Sequence, residues 1–423
     1  MDQPVKIDQD ATFTQRRKKW ASGVWNAATT SYQLVLTSAT ALLVIGLLMV
    51  LSSSAVDALQ SGGTAYSVFV KQTSFALGGV VLAFAASRIP VSAYKRFAPA
   101  LFVLGLVLQA LIFVPGMGVS AKGNTNWLVI AGVQIQPSEF LKLALCVFLG
   151  TIIARRLASA TDWKHVLVPV GLASGLSILL VMAGDDLGTA MIFFFIVIGM
   201  LAVAGLPMKY FALVMAGAVV AVGLLAIFKK NRLMRIFATY DPNCDPQHQC
   251  YQVNRGLAGL GSGGLGGVGL GAGREKWSYL PEAHNDFIFV VLGEELGLIG
   301  TLSVIALFLL LGAAIIRIIK RNPDPMVKIA SAGIGAWLIG QAAMNIGVVT
   351  KLFPVIGVPL PLVSAGGSSL IAALLAIGVL LAFARNEPGA KEAFSANGSV
   401  VRKTIGIISG SRRQSRPSVK PKE

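Results

Sequence analysis

From Leu34 to Phe383 the chain runs in stretches of about 20 apolar residues between polar breaks, the length a helix needs to cross a bilayer. The spans are expected to begin near Leu34, Val68, Ala98, Glu139, Val166, Leu187, Tyr210, Phe287, Val327 and Ser368. That pattern predicts an all-α polytopic membrane protein of about ten transmembrane helices with both termini cytoplasmic. Most breaks are short, as a helix bundle requires, so the longer ones carry information. On this topology three face outward: 114–137, the polar stretch 229–285 before the eighth helix, and 351–367 with its three prolines. Sites that meet an external substrate are built from such loops. No internal repeat of the transporter type is visible.

Residues 256–273 read GLAGLGSGGLGGVGLGAG. A nucleotide-phosphate loop is a weak reading, since no strand precedes it, no GK[ST] follows and it lies on the wrong side for nucleotides. Tight turns or a close backbone approach are one alternative, a flexible linker the other.

Composition agrees with lipid as the main solvent. Of 423 residues 55% are hydrophobic and 13% charged, with mean hydropathy +0.72, which fits no soluble class. A formal charge of +17 could suggest nucleic acid. Its distribution excludes that partner: roughly 25 Lys and Arg residues fall on the cytoplasmic side and roughly 9 outside, the positive-inside pattern. The densest clusters are Arg16, Arg17, Lys18 and Lys19 before the first span and Arg402, Lys403, Arg412, Arg413 and Arg416 in the tail. Both tails are expected to be disordered and to contact anionic headgroups. The polar N-terminal stretch, followed by an apolar run long enough to span, argues for a retained anchor and no cleavable signal peptide. Cys146 falls in a span. Cys244 and Cys250 share the long outer loop, where an oxidising compartment favours a local disulfide over two free thiols.

Charge inside a span is expensive, so each such group is a functional candidate until paired. Glu139 and Lys142 open the fourth span as PSEFLK and, three apart, share a helix face on which they can neutralise each other. Asp185 and Asp186 lie at the outer turn between the fifth and sixth spans, where Asp186 can cap the helix starting at Leu187. Lys71 can snorkel to the interface. The densest chemistry is 280–297, LPEAHNDFIFVVLGEELG, where Glu282, His284, Asp286, Glu294 and Glu295 meet the eighth span. Asp286 is expected at the membrane surface beside the apolar run from Phe287, with Glu294 and Glu295 roughly 12 Å deeper in a helix. A carboxylate at a half-dry boundary suits general-base work; the alternative is an N-cap or an interfacial charge.

Read in order, these motifs resemble the SEDS family of shape, elongation, division and sporulation proteins. They are Asn126 and Trp127, QPSEFLK from Gln136, DLGT from Asp186, Tyr251 with Gln252, GSGG from Gly261, YLPEAHNDFIF from Tyr279, GEELG from Gly293 and PLVSAGGSS from Pro361. The resemblance spans a transmembrane domain of 33–386, including the extracytoplasmic loop 229–285, and leaves out the tails 1–32 and 387–423. PEAH and the basic tails are closer to division-type members than to elongation-type ones. Asn285 departs from the usual Thr, Ala365 from the common Tyr, and GNTNW from the familiar GARRW.

The resemblance implies an inverting glycosyltransferase that polymerises lipid II, a disaccharide-peptide on undecaprenyl diphosphate, in septal cell-wall synthesis. In that reading Asp286 is the base on the acceptor 4-hydroxyl. Lys142, Lys122, Arg255 and Arg274 are candidates for the leaving diphosphate, with a divalent cation, Mg or Mn, as a candidate cofactor. Trp127, Glu139, Asp186, His284 and Ser368 are further substrate-binding candidates, and Glu294 and Glu295 structural ones. The implied partners are a class B penicillin-binding transpeptidase and other divisome proteins, at the septum of the bacterial cytoplasmic membrane. A lipid II flippase, a non-catalytic divisome scaffold and an elongation-type polymerase are the alternatives.

Overall fold

The computed structural model describes residues 27–395 apart from 61, 122–123, 131, 158–162, 218–239, 242–243, 246–249 and 278. The basic clusters of both tails, Lys122 and Lys229 lie outside the described residues. Helices α1 (Thr30–Gln60), α2 (Ser67–Arg88) and α3 (Val91–Ala110) come first, α3 running into a 3-10 turn at Leu111–Phe113. Strands β1 (Gly118–Ala121), β2 (Asn124–Ile130) and β3 (Val133–Ile135) follow. Then come α4 (Pro137–Leu157), α5 (Lys164–Ala183), α6 (Leu187–Val203), α7 (Met208–Gly217), α8 (Tyr251–Ser262), α9 (Ile288–Arg321), α10 (Pro325–Val349) and α11 (Gly367–Ala384). Among the described residues seven helices are long and apolar enough to cross a membrane: α1, α2, α3 with its 3-10 turn, α5, α9, α10 and α11. α6 and α7 are apolar but shorter.

Three expectations change. The third helix starts at Val91, ahead of the expected Ala98, because its first turns carry Tyr94, Lys95 and Arg96, which an apolar window rejects. Lys95 there is paired with Asp324 at the start of α10. The outer stretch 114–137 is a three-stranded antiparallel sheet, β1–β2–β3, with Val119 opposite Trp127 and Leu128 opposite Ile135. Its strands are short and β-branched, a signal easily lost beside long apolar helices. The polar stretch before the eighth helix contains α8, so the first seven residues of the glycine-rich segment are helical, and the flexible-linker reading is wrong.

Helices in lipid gain little from apolar burial and associate through close packing of small residues. α10 and α11 are the buried centre of the bundle. A Cβ at Gly378 on α11 would meet the Ala83 carbonyl of α2 at 2.4 Å, and one at Gly150 on α4 would meet Ala330 of α10 at 2.9 Å. The two described ends of the chain also meet, the Tyr32 and Phe394 rings lying edge to face at 5.0 Å, and Arg317 of α9 donates to the Ala27 carbonyl at 2.8 Å.

The rest of the glycine-rich segment docks onto a break in α9. Gly297 has φ 66 and ψ −162 inside that helix. Val268 and Gly269 donate to the carbonyls of Glu294 and Glu295, while Leu298 and Ile299 donate to those of Gly264 and Leu265. These bonds occupy main-chain groups that a broken helix leaves open. A Cβ at Gly297 would stand 2.3 Å from the Gly267 nitrogen. Gly297→Ala is therefore expected to destabilise the protein by about 1–3 kcal/mol from backbone strain alone, before any clash, read as a lower unfolding temperature.

Candidate functional site

Asp286 sits in the turn ahead of α9, half-buried, next to the fully buried Phe287. The N-cap of α9 is Phe287, with no side-chain cap, so the N-cap alternative for Asp286 does not hold. Three successive carbonyls of this turn are pinned. His284 O accepts from Ala365 N at 2.9 Å, Asn285 O from Ser364 Oγ at 2.7 Å, and Asp286 O from Asn345 Nδ2 at 2.7 Å. Upstream, Gln252 of α8 donates to the Pro281 carbonyl at 3.2 Å, and Asn285 Nδ2 donates to Glu282 at 2.7 Å. The Asp286 carboxylate faces Gly357, where a Cβ would lie 3.5 Å from Oδ2; the φ of +70 there also favours glycine.

Glu139 and Lys142 form the ion pair their spacing suggested, at 2.9 Å, both buried. Lys142 also donates to Gln341 Oε1 at 3.1 Å and stands 4.7 Å from the Trp337 ring centroid. Gln341 accepts from Trp337 Nε1 at 2.9 Å and donates to the Pro359 carbonyl at 2.8 Å. Glu139, Trp337, Gln341, Pro359, Ser364 and Ser369 line a small crevice here. Lys142 is thus a fixed positive charge behind two residues of the crevice wall, and direct ligation of a diphosphate requires Glu139 to release it.

Asp186 is a hub. It caps α6 by accepting from Thr189 N at 2.9 Å and Thr189 Oγ1 at 2.8 Å, and it also accepts from Asn126 at 3.0 Å and Gln136 at 3.2 Å. Burial pushes its carboxyl above the ordinary pKa, against the pull of the Thr189 bonds. Gln136 N donates to Ser368 Oγ at 3.3 Å, which brings the start of α11 to the same hub. Trp127, half-buried on β2, is next to Asn126. The motif residues of four separate stretches therefore converge at one end of the bundle.

Other candidates turn elsewhere. Glu294 accepts from the backbone N–H groups of Arg274 and Glu275 at 2.7 and 3.2 Å, and Glu295 pairs with the buried Lys276 at 2.8 Å and accepts from Ser52 of α1 at 2.7 Å. Both hold the glycine-rich segment. Arg274 has an exposed side chain. Arg255 lies 5.0 Å from the Tyr279 ring centroid and 3.8 Å from Glu275, so its charge is partly offset by a carboxylate. Among the described residues no group of three or more His, Cys, Asp or Glu side chains is placed to hold a metal ion.

Cys244 and Cys250 are joined by a disulfide, and buried Cys250 directly precedes α8. Closing so short a loop is worth about 2 kcal/mol. Changing both cysteines to serine should make α8 and its approach more sensitive to limited proteolysis from outside, to the same degree that a reductant does in the parent protein.

Gln341, Asn345, Trp337 and Lys276 were not among the sequence candidates. The first two had a signal: in IGQAAMNIG the amides stand four apart inside an apolar span, which puts them on one helix face.

The fold and this site define a polytopic membrane protein with a polar centre at one end of its helix bundle. A model of the cell cycle protein family named for FtsW, RodA and SpoVE matches residues 32–388, and the chain belongs to that family. It is 38% identical over 381 residues to the probable peptidoglycan glycosyltransferase FtsW of Mycobacterium tuberculosis, covering 90% of this chain and 73% of that protein. It is 37% identical over 346 residues to the stage V sporulation protein E of Bacillus subtilis, covering 81% and 94%. Among solved structures, one described as the structural coordination of polymerization and crosslinking by a peptidoglycan synthase complex superposes with TM-score 0.68 at 26% identity, covering 83% and 97%. The rod shape determining protein RodA of Thermus thermophilus gives TM-score 0.62 at 26% identity, covering 84% and 96%.

Proposed function

We propose that this protein is a peptidoglycan glycosyltransferase that polymerises lipid II into glycan strands for the division septum, with Asp286 as general base. The observation that carries the base assignment is the pinned turn, which holds one half-buried carboxylate facing Gly357, in the segment whose Pro359 carbonyl is bound by Gln341, the partner of the buried Lys142. Asp286 takes the proton of the acceptor 4-hydroxyl as that oxygen bonds to the donor anomeric carbon. The bond from that carbon to the diphosphate oxygen breaks in the same displacement, which inverts an α-linked donor to a β-1,4 product. Negative charge grows on the leaving diphosphate, and Lys142 opposes it, with Arg255 of α8 as the second candidate cation. A divalent cation, Mg or Mn, is the candidate to share the charge of the diphosphate.

A class B penicillin-binding transpeptidase is the expected partner, since a related structure is described as a complex that couples polymerisation to crosslinking. Purified protein given lipid II and its cognate transpeptidase should yield glycan strands. A flippase is the second reading, motivated by the buried Glu139–Lys142 and Lys276–Glu295 pairs. Vesicles that move lipid II across the bilayer without making polymer would favour it over the polymerase.

A further inference from the structure

We propose that Asn345 is a positioning residue that sets Asp286 for its work as base; the proposal rests on that reading of Asp286. Asn345 is 2% exposed on α10, and its amide nitrogen donates to two carbonyls, those of Asp286 and Val358, each at 2.7 Å. A flipped amide would set its oxygen against both carbonyl oxygens, so the orientation is fixed by chemistry. Both N–H groups are used, and among the described residues the Oδ1 atom is buried with no hydrogen-bond partner. With both donors spent on the two carbonyls, the amide is oriented by its nitrogen alone.

The two carbonyls belong to the two walls of the catalytic position. Asp286 supplies the carboxylate, and Val358 follows Gly357, the residue that carboxylate faces. One side chain therefore fixes the peptide of the base and the surface beside its oxygens. Among the three contacts that pin carbonyls 284 to 286, those from Ser364 and Ala365 come from the segment before α11, and only Asn345 reaches from a transmembrane helix. One turn earlier on the same face, Gln341 binds both Lys142 and the Pro359 carbonyl. α10 thereby anchors the cation and the turn of the base from two amides four residues apart on one face, an axial offset of about 6 Å between the anchors.

The test uses the full-length protein with its cognate transpeptidase and lipid II, measuring kcat, KM and unfolding temperature. Asn345→Ala should lower kcat by about 100-fold, the effect of a displacement near 1 Å at the reacting group, with KM for lipid II changed by less than about 2-fold. Asn345→Ser, which keeps one donor, should fall between parent and Ala and covers the case in which the Ala variant does not fold. Asn345→Asp, equal in shape but without the donors, should be no better than Ala. A parental kcat in Asn345→Ala or Asn345→Asp overturns the positioning role, as does a rate that falls only in proportion to folded protein. Asp286→Asn run in parallel separates the two failures. If it polymerises normally, the base assignment falls and takes this proposal with it. If it is inactive while Asn345→Ala is not, only the positioning role falls.

Discussion

Asp286→Asn is expected to reduce glycan polymerisation by about 1,000-fold or more while leaving the unfolding temperature within experimental error. The size follows from loss of a general base, which contributes about 10²- to 10⁴-fold. The selectivity follows from how the residue is held. Its turn is fixed through main-chain carbonyls, and the bond from Asn345 goes to the Asp286 backbone oxygen, so an isosteric amide keeps every one of those anchors. A single-turnover assay with lipid II and the cognate transpeptidase reads the rate, and a melting curve of the same sample reads the fold. Polymer made at the parental rate would remove Asp286 from the chemistry. Loss of rate together with loss of fold would show that the carboxylate is structural.

Lys142→Met is the second large effect, and it acts on stability and activity by separate routes. Lys142 and Glu139 are both buried and 2.9 Å apart, so removing either leaves an uncompensated charge among apolar helices. Breaking such a pair costs about 3–5 kcal/mol, whereas replacing both members by neutral groups of similar shape is often nearly neutral. The single variants Lys142→Met and Glu139→Gln should therefore melt markedly lower than the parent. The double variant should recover most of that loss. Polymerisation should not recover with it, because the double variant still lacks the positive charge that opposes the leaving diphosphate. If the double variant regains activity along with stability, Lys142 has only a structural role.

Much of this site was legible before any coordinates, for reasons that differ by residue. The Glu139–Lys142 pair follows from helix spacing, and the capping by Asp186 follows from its place before an apolar helix. Asp286 stood out as a carboxylate against an apolar run. What spacing does not show is which amide reads which carbonyl. Asn345 and Gln341 became visible as ligands only when the segment 357–359 was seen to run past α10, a contact made across the fold. The sheet at 118–135 escaped notice because strands of three to seven residues give little periodicity. Lys276 was hidden in a loop that reads as polar and solvated, although it is buried against Glu295.

The docking of the glycine-rich segment onto the break in α9 also changes what its glycines mean for substitution. Ten glycines in a row of eighteen residues suggest uniform looseness, yet tolerance here should alternate steeply from one position to the next. A methyl group at Gly263 would stand 2.0 Å from the Gly293 carbonyl, and at Gly267 2.1 Å from that of Glu295, whereas Gly261 and Gly266 look onto open space. A saturation library over this stretch would thus trace the buried edge of the segment. The glycines that resist replacement are sites of backbone contact, and the permissive ones are available for labels or crosslinkers that leave the docked segment in place.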